Sequence, residues 1–246
     1  MIDTHCHLFI EDYPDIDEVI KKMEDNLIIV SGVDDDTNKQ VLDLCLKYNN
    51  VYGTLGIHPE NVDGVYNLEF ISQHINDFHI VGIGEIGLDY HFCKDNKDKQ
   101  ISLFTEQIEI AISNNKPIVV HSRDAICDTY NIVKRYNYGS RTLIHCFSSS
   151  AEMALNFIKL GCKLGVGGVL TFKNSSKLKD VVSSVSLDNF VLETDSPYLT
   201  PEPLRGKRNE PYNVYYVGKR IAEIKNINLC DVLEKTTSNA LDFFNI

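Results

Sequence analysis

The sequence predicts a single domain over residues 1–246, folded as a (β/α)8 barrel. Its length of 246 residues lies in the range where one such barrel forms a complete unit. Eight short runs rich in β-branched and apolar residues recur along the chain, and an amphipathic stretch of helical period follows each of them. Strand followed by helix, repeated eight times, is typical of a closed parallel barrel.

The predicted strands are nearly continuous apolar runs, as expected when both faces of a parallel sheet are covered. They span residues 1–5, 27–32, 51–58, 80–89, 117–122, 142–147, 162–167 and 190–195. The predicted helices span residues 16–23, 38–48, 68–75, 100–112, 125–136, 151–160, 178–185 and 212–224. An added helix over residues 231–244 follows the eighth unit.

A doubly wound open sheet would show the same alternation of strands and helices. The candidate site residues favour the barrel, because they fall toward the C-terminal ends of the first, fourth, fifth, sixth and eighth predicted strands. Only a closed barrel brings all of these ends around one mouth.

The composition is that of a globular protein with an acidic surface. Hydrophobic residues make up 43% of the chain and charged residues 24%, which is enough to bury a sizeable core. The 24 basic and 35 acidic residues give a net charge of −11, which argues against a broad phosphate-neutralising surface. Any contact with nucleic acid would be local. Bound divalent ions would add positive charge inside the pocket that collects the carboxylates, so the acidic composition does not exclude a phosphate substrate.

The seven cysteines favour a reducing compartment, because they form no CxxC pair and their odd number leaves at least one unpaired. They are Cys6, Cys45, Cys93, Cys127, Cys146, Cys162 and Cys230. The N-terminus has no basic segment followed by an apolar one, and no apolar run is long enough to span a bilayer. We therefore expect a cytoplasmic protein that does not associate with membranes, and no protein partner is predicted.

Two histidines close the first predicted strand. His5 and His7 are two residues apart, so on a strand they point to the same face and can bind one ion. Two unrelated surface histidines would be the alternative, but the end of a barrel strand is where active sites collect. Cys6 points the other way, and we expect it to pack between barrel and helices.

Glu85 interrupts the apolar fourth strand between Gly84 and Gly87. Removing a carboxylate from water without giving it a partner costs roughly several kcal/mol of folding free energy. A buried Glu85 therefore needs a cation or hydrogen-bond donors nearby. Its two oxygens could bridge two ions. The alternative is an acid that forms a salt bridge within the barrel.

His121, His145 and Asp195 each end a predicted strand. A single histidine in such a place is more often a hydrogen-bonded core residue, but two at equivalent positions of consecutive strands favour metal ligands. Asp195 can bind a metal and can also accept a proton from water as a general base.

Together these residues predict a site for two divalent ions. The ligands are His5, His7, Glu85, His121, His145 and Asp195, of which Glu85 and Asp195 are also predicted to be catalytic. Six ligands of mixed nitrogen and oxygen type exceed what one tetrahedral ion needs. Histidines favour Zn2+ and carboxylates favour Mg2+ or Mn2+, so the sequence leaves all three metals open.

The chain resembles the TatD family of metal-dependent deoxyribonucleases, within the amidohydrolase-like barrels. The matching segments are Asp-Thr-His-Cys-His at 3–7, Gly-Ile-His-Pro at 56–59, Gly-Glu-Ile-Gly-Leu-Asp-Tyr at 84–90, His-Ser-Arg at 121–123, His-Cys-Phe-Ser at 145–148, Glu-Thr-Asp-Ser-Pro-Tyr-Leu-Thr-Pro at 193–201 and Arg-Gly-Lys-Arg-Asn-Glu-Pro at 205–211. They span nearly the whole sequence. Ser149 departs from the family pattern, which usually continues with Gly, and puts the shape of that loop in doubt if the turn needs positive φ.

The resemblance implies a DNase that uses two metal ions to activate water, and it assigns metal binding to the same six positions. DNA ends or single strands are the expected substrate, with exonuclease-like action. Two alternatives remain: a barrel hydrolase of an amide, ester or aminoacyl-tRNA bond, and a metal-stabilised binding scaffold without catalysis. Glu85 favours phosphodiester chemistry, since many amide-cutting relatives carry a modified lysine on strand four.

Four further residues are candidates for binding substrate phosphate. His58 ends the third predicted strand and precedes a proline, so it is either a donor to phosphate or a structural histidine. Arg123 opens a predicted helix, and Arg205 and Asn209 lie in the loop after strand eight, where barrels often bind phosphate. The alternative for the arginines is a solvated ion pair. Tyr90 and Tyr198 could stack on bases or pack at the rim.

Overall fold

Eight parallel strands form a single sheet in which each strand pairs with the next one along the chain. This computed structural model describes residues 1–92 and 94–246. The strands are β1 (Ile2–Cys6), β2 (Leu27–Ser31), β3 (Val51–Leu55), β4 (Ile80–Asp89), β5 (Ile118–Arg123), β6 (Thr142–Ile144), β7 (Lys163–Val166) and β8 (Phe190–Leu192).

An α-helix follows each strand, and one more completes the chain. The helices are α1 (Ile16–Lys21), α2 (Asp35–Lys47), α3 (Leu68–His74), α4 (Lys97–Ser113), α5 (Ile126–Tyr136), α6 (Ala151–Lys159), α7 (Ser176–Ser184), α8 (Val214–Lys225) and α9 (Leu229–Phe244). The predicted (β/α)8 barrel is therefore confirmed, and so is the added C-terminal helix.

Three strands end three residues earlier than the sequence predicts. β3, β6 and β8 stop at Leu55, Ile144 and Leu192, so His58, His145 and Asp195 lie in the loops that follow. The cause is visible in the backbone of the last two loops, where Cys146 and Asp195 have φ values of 43° and 55°. An extended ladder cannot include a left-handed residue, so the strand ends before it.

The barrel closes where β8 meets β1. Asp195 N donates to His5 O over 3.0 Å, and His7 N donates to Ser196 O over 2.7 Å. The Thr4 hydroxyl donates to Leu192 O over 2.9 Å. These bonds fix the end of β8 against the end of β1, which brings Asp195 beside His5 and His7.

The floor of the barrel is apolar and α9 covers it. Six side chains near the starts of their strands form this floor: Ile2, Ile29, Val81, Val119, Leu143 and Val191. Ala240, Phe243 and Phe244 of α9 pack against them. A second, larger cluster lies between strands and helices and contains Cys6, as predicted. The polar side chains are therefore left to the opposite, C-terminal end, where active sites of such barrels lie.

Six of the seven cysteines lie in the described part of the chain. Cys6, Cys45, Cys127, Cys146, Cys162 and Cys230 are free thiols, while Cys93 lies outside the described residues. No helix of residues 1–92 and 94–246 is both long and apolar enough to cross a membrane. The cytoplasmic location stays a prediction.

We expect Phe244→Ala to lower the free energy of unfolding by about 3–5 kcal/mol, because the ring is 3% exposed in the barrel floor and its loss leaves a cavity. Urea denaturation followed by circular dichroism measures the change. Leu46→Ala, at a side chain 74% exposed on α2, is the control and should change stability little. Equal losses in both variants would contradict a floor sealed by α9.

Candidate metal centre

Glu85 lies at the centre of a buried cluster of histidines. Its side chain projects from the middle of β4 and is 4% exposed. Its Oε2 atom lies 3.3 Å from His5 Nε2 and 3.4 Å from His7 Nε2. Its Oε1 atom lies 2.8 Å from His145 Nε2 and 2.9 Å from His121 Nδ1. Each carboxylate oxygen therefore faces its own pair of imidazoles.

The first pair is held by Ser31 at the end of β2. His7 Nδ1 donates to Ser31 O over 3.0 Å, and His5 Nδ1 lies 3.0 Å from the Ser31 hydroxyl. Because Nδ1 of a neutral His7 carries the proton, its Nε2 lone pair points at Glu85. Asp195 completes this side, with Oδ1 3.7 Å from His5 Nε2 and 3.5 Å from His7 Nε2.

Asp89 orients His121, which together with His145 forms the second pair of histidines around Glu85. His121 Nε2 lies 3.0 Å from Asp89 Oδ2, while the other oxygen of Asp89 accepts from the backbone N–H groups of His91 and Phe92, both at 2.8 Å. When His121 is neutral, a proton on Nε2 leaves the Nδ1 lone pair directed at Glu85. Gly87 permits this approach of β4 and β5, since a Cβ there would lie 2.1 Å from His121 O.

Glu193 lies behind His145, on the side away from Glu85. Its Oε1 atom accepts from Cys146 N over 2.5 Å and lies 3.8 Å from His145 Nδ1. Gly165 leaves room for it, because a Cβ on Gly165 would come within 2.2 Å of Glu193 Oε2. Burial raises the pKa of Glu193 to about 7. This carboxyl group therefore fixes the loop that presents His145.

His58 enters the cluster from the loop after β3 and has a different chemical role. Its Nε2 lies 3.5 Å from Glu85 Oε1, and its Nδ1 accepts a hydrogen bond of 3.2 Å from Glu60 N. A backbone N–H can only donate, so the proton of a neutral His58 must sit on Nε2. His58 is thus a hydrogen-bond donor into the site, whereas the other histidines can offer lone pairs.

The loop that carries Asp195 is held by a buried polar network. Asp3 accepts from Thr194 N over 2.9 Å and from the Thr194 hydroxyl over 2.5 Å. Asn209 donates through Nδ2 to Thr194 O and Tyr198 O, and its Oδ1 accepts from Glu210 N and from Asn213. All the hydrogen-bonding capacity of the Asn209 amide is used in this way, so a substrate contact would have to displace one of these bonds.

Protonated histidines balance the negative charge of the carboxylates in the cluster. Burial disfavours a charged His7 and a charged His121, but the neighbouring carboxylates outweigh it and raise the pKa of His7 to about 10 and of His121 to about 9. Burial alone would raise the pKa of Glu85, yet the positive charge of the surrounding histidines lowers it well below its usual range. A carboxylate buried among imidazoles is an environment that favours a cation.

The donor set fits divalent metal ions. Among the described residues there are three sets of three side chains whose ligand atoms all lie within 4.8 Å of one another inside the set. The sets are His5 with His145 and Asp195, His5 with His7 and Glu85, and His58 with Glu85 and His121. Imidazole nitrogen and carboxylate oxygen suit Zn2+ and Mn2+, and the carboxylates also suit Mg2+. The six residues predicted as ligands all lie in these groups, although the metal-binding role of each stays a prediction.

Comparisons with known proteins agree with this arrangement. The sequence profile described as TatD related DNase matches residues 2–245. The chain belongs to the TatD family. This TatD-family protein is 39% identical to the uncharacterized metal-dependent hydrolase YabD of Bacillus subtilis, over all of this chain and 99% of that protein. It is 33% identical to the uncharacterized metal-dependent hydrolase YcfH of Escherichia coli K12, over all of this chain and 96% of that one.

A solved structure has the same fold. The crystal structure of YJJV, a TatD homologue from Escherichia coli K12, superimposes with a TM-score of 0.93 at 28% identity, and the match covers all of this chain and 98% of that one. The predicted resemblance to the TatD family is therefore confirmed. Family membership and the buried donor cluster together support metal binding and hydrolase activity.

The two candidate phosphate-binding arginines of this TatD-family protein lie at the rim and stack on aromatic rings. Arg123 ends β5 and does not open a helix as predicted, because α5 begins only at Ile126. Its guanidinium lies 4.5 Å from the centre of the Phe92 ring. That of Arg205 lies 4.1 Å from the Phe172 ring and donates to Thr200 O. Phosphate binding by either stays a prediction.

The two rim tyrosines differ. The Tyr90 ring is 8% exposed, Lys97 Nζ lies 4.2 Å over it, and its hydroxyl donates to Asp128. It therefore packs at the rim and has no free face for a base. Tyr198 is 58% exposed.

Ser149, the departure from the family pattern, does not have the positive φ that would demand glycine. Cys146 in the same loop has a positive φ.

Sequence reasoning missed the carboxylates that orient the ligands. Asp89 and Glu193 were visible only as parts of family motifs, and Ser31 lay in no motif. Acidic residues ending or following apolar strands were the available signal, since a buried acid needs partners. Their partners His121 and His145 are 32 and 48 positions away, so only the folded barrel reveals the pairs.

We expect Asp89→Asn to weaken metal binding about 10- to 100-fold, which is typical when the hydrogen-bond partner of a ligand histidine is lost. The Asn side chain keeps the oxygen that accepts from His91 N and Phe92 N but loses the acceptor for the proton of His121 Nε2. Isothermal titration with Mn2+ measures the affinity. Asp36→Asn, on the exposed start of α2, is the matched control; unchanged affinity in Asp89→Asn would refute the orienting role.

Metal binding should release protons. In metal-free protein near pH 8, His7 and His121 are protonated, because their pKa values are raised to about 10 and about 9, whereas a ligand nitrogen must be deprotonated. The apparent affinity should therefore rise with pH up to about 10. Titrations in buffers with different ionisation enthalpies count the released protons. A binding enthalpy that is the same in all buffers would contradict the protonated state of His7 and His121 in the metal-free protein.

Proposed function

We propose that this TatD-family protein hydrolyses phosphodiester bonds of DNA with two divalent ions held by His5, His7, Glu85, His121, His145 and Asp195. The observation that carries the proposal is the orientation of Glu85. Its two oxygens face two separate pairs of histidines, as a carboxylate shared by two cations would.

Divalent ions in such a site would lower the pKa of water and stabilise charge on phosphate oxygens. Asp195 supplies the base. It contacts His5 and His7 through Oδ1, and its Oδ2 is the atom that takes the proton of the attacking water. Burial would raise its pKa, but the hydrogen bond with His7 and the charges of His145 and His5 lower it, so Asp195 is ionised at neutral pH.

His58 supports phosphate as the reacting group. Its Nε2–H points into the cluster beside Glu85, where it can donate to a phosphate oxygen. The exposed guanidinium of Arg123 at the end of β5 provides a second donor for phosphate. We also propose that DNA ends or single strands are the substrates and that cleavage is exonuclease-like, because a barrel mouth admits an end more readily than the middle of a duplex.

The two alternative functions have less support. An amide, ester or aminoacyl-tRNA hydrolase could use the same barrel, but β4 provides a glutamate where many amide-cutting relatives carry a modified lysine. A metal-stabilised binding scaffold without catalysis could use the same ligands, but the relatives at 39% and 33% identity are both described as metal-dependent hydrolases. Turnover of a phosphodiester by the metal-loaded protein separates the proposal from both alternatives.

The test is degradation of end-labelled single-stranded DNA with Mg2+, Mn2+ or Zn2+. We expect the wild type to shorten the strand, and Asp195→Asn to reduce kcat about 100- to 10,000-fold through loss of the general base and a ligand. Asp36→Asn should retain full activity. Intact DNA with every metal, together with turnover of an ester or aminoacyl-tRNA, would replace the proposal by the first alternative.

A further inference from the structure

The rim of the barrel mouth carries two exposed aromatic rings that the proposed chemistry does not use. Phe92 follows β4 and is 62% exposed, and Tyr198 follows β8 and is 58% exposed. A single exposed ring on a protein surface needs no explanation. Two rings at the same mouth, each beside a part of the candidate metal centre, suggest a common ligand.

The Phe92 ring forms one flat surface with Arg123. The guanidinium lies 4.5 Å from the ring centre, and within the described chain no carboxylate pairs with it. Phe92 N donates a hydrogen bond to the carboxylate of Asp89, the residue that orients His121. This surface is therefore fixed to the β4–β5 side of the metal centre and carries both an apolar face and a positive charge.

Tyr198 is anchored by its backbone and leaves its ring free. Its N–H donates to Asp195 O over 2.9 Å, and its carbonyl accepts from Asn209 over 2.7 Å. The ring lies 6.3 Å from the ring of His7, measured between centres. No hydrogen bond to the Tyr198 hydroxyl occurs among residues 1–92 and 94–246, so the exposed ring is available to contact a ligand.

The two surfaces lie on opposite sides of the metal centre. Phe92 and Arg123 belong to the β4–β5 side, and Tyr198 lies between β8 and His7 of the β1 side. In a closed barrel of eight strands in sequence order, these sides are half a circumference apart. A chain that crosses the mouth through the metal centre therefore meets one ring before it and one after it.

We propose that Phe92 with Arg123, and Tyr198, stack on the unpaired bases on either side of the phosphate at the metal centre. This inference rests on the proposed function and adds a selection for single strands, because the faces of paired bases are hidden within a duplex. With a net charge of −11 the protein cannot rely on a broad cationic surface to hold nucleic acid. Stacking on rings holds a strand without such a surface.

The test is the binding of a short fluorescein-labelled oligodeoxythymidylate with cleavage-resistant phosphorothioate links to the Mn2+-loaded protein, measured by fluorescence anisotropy before any cleavage is detected. We expect Phe92→Ala and Tyr198→Ala each to raise Kd at least about fivefold, and Phe92→Tyr and Tyr198→Phe to keep wild-type Kd, since stacking needs only the ring. Phe78→Ala is the matched control, because Phe78 is 61% exposed but precedes β4 at the opposite end of the barrel.

Two comparisons make the result specific to bases. The fivefold effect should vanish with an oligomer of abasic sites, which keeps the phosphates, and should remain the same at low and high salt. Unchanged Kd in both alanine variants, an equal loss in Phe78→Ala, or a loss that persists with the abasic oligomer would overturn the inference. Cleavage of an unmodified oligomer by the wild type is measured in parallel, so that a failure of the proposed function is seen separately from a failure to stack.

Discussion

The buried carboxylate of Glu85 is the constraint on which the rest of the structure depends. A charge in the middle of an apolar strand is tolerated only if cations or donors surround it. Here the imidazoles of His5, His7, His121 and His145 do so, and they come from three other positions around the barrel. The closed sheet brings these strand ends to one point, and α9 covers the apolar floor at the opposite end.

The candidate ligand histidines depend on hydrogen-bond partners that determine which ring nitrogen carries the proton. Ser31 O accepts a hydrogen bond from His7 Nδ1–H, and Asp89 accepts one from His121 Nε2–H, so that each ring, when neutral, directs a lone pair toward Glu85. His58 is held the other way round, because Glu60 N occupies its Nδ1. The same side chain type can thus offer a lone pair or an N–H donor according to one backbone contact, and the proposed metal-binding and phosphate-binding roles rest on this difference.

Much of this could be predicted from the sequence, and the remainder could not for definite reasons. Apolar runs at regular intervals sufficed for the barrel, and polar residues that end such runs sufficed to choose the six candidate ligands. Strand ends were placed too late in β6 and β8, since the left-handed backbone of Cys146 and Asp195 leaves no signal in residue type. Asp89, Glu193 and the stacking of Arg205 on Phe172 depend on pairs remote in sequence.

The central claim is that Glu85 joins two cations, one on the His5–His7 side and one on the His121–His145 side. Anomalous diffraction from a crystal soaked in Mn2+ tests it most directly. The account predicts two peaks, one beside each oxygen of Glu85, and the loss of both or a single weakened peak in Glu85→Gln. A single ion that does not contact Glu85, or two peaks unchanged in Glu85→Gln, would contradict it.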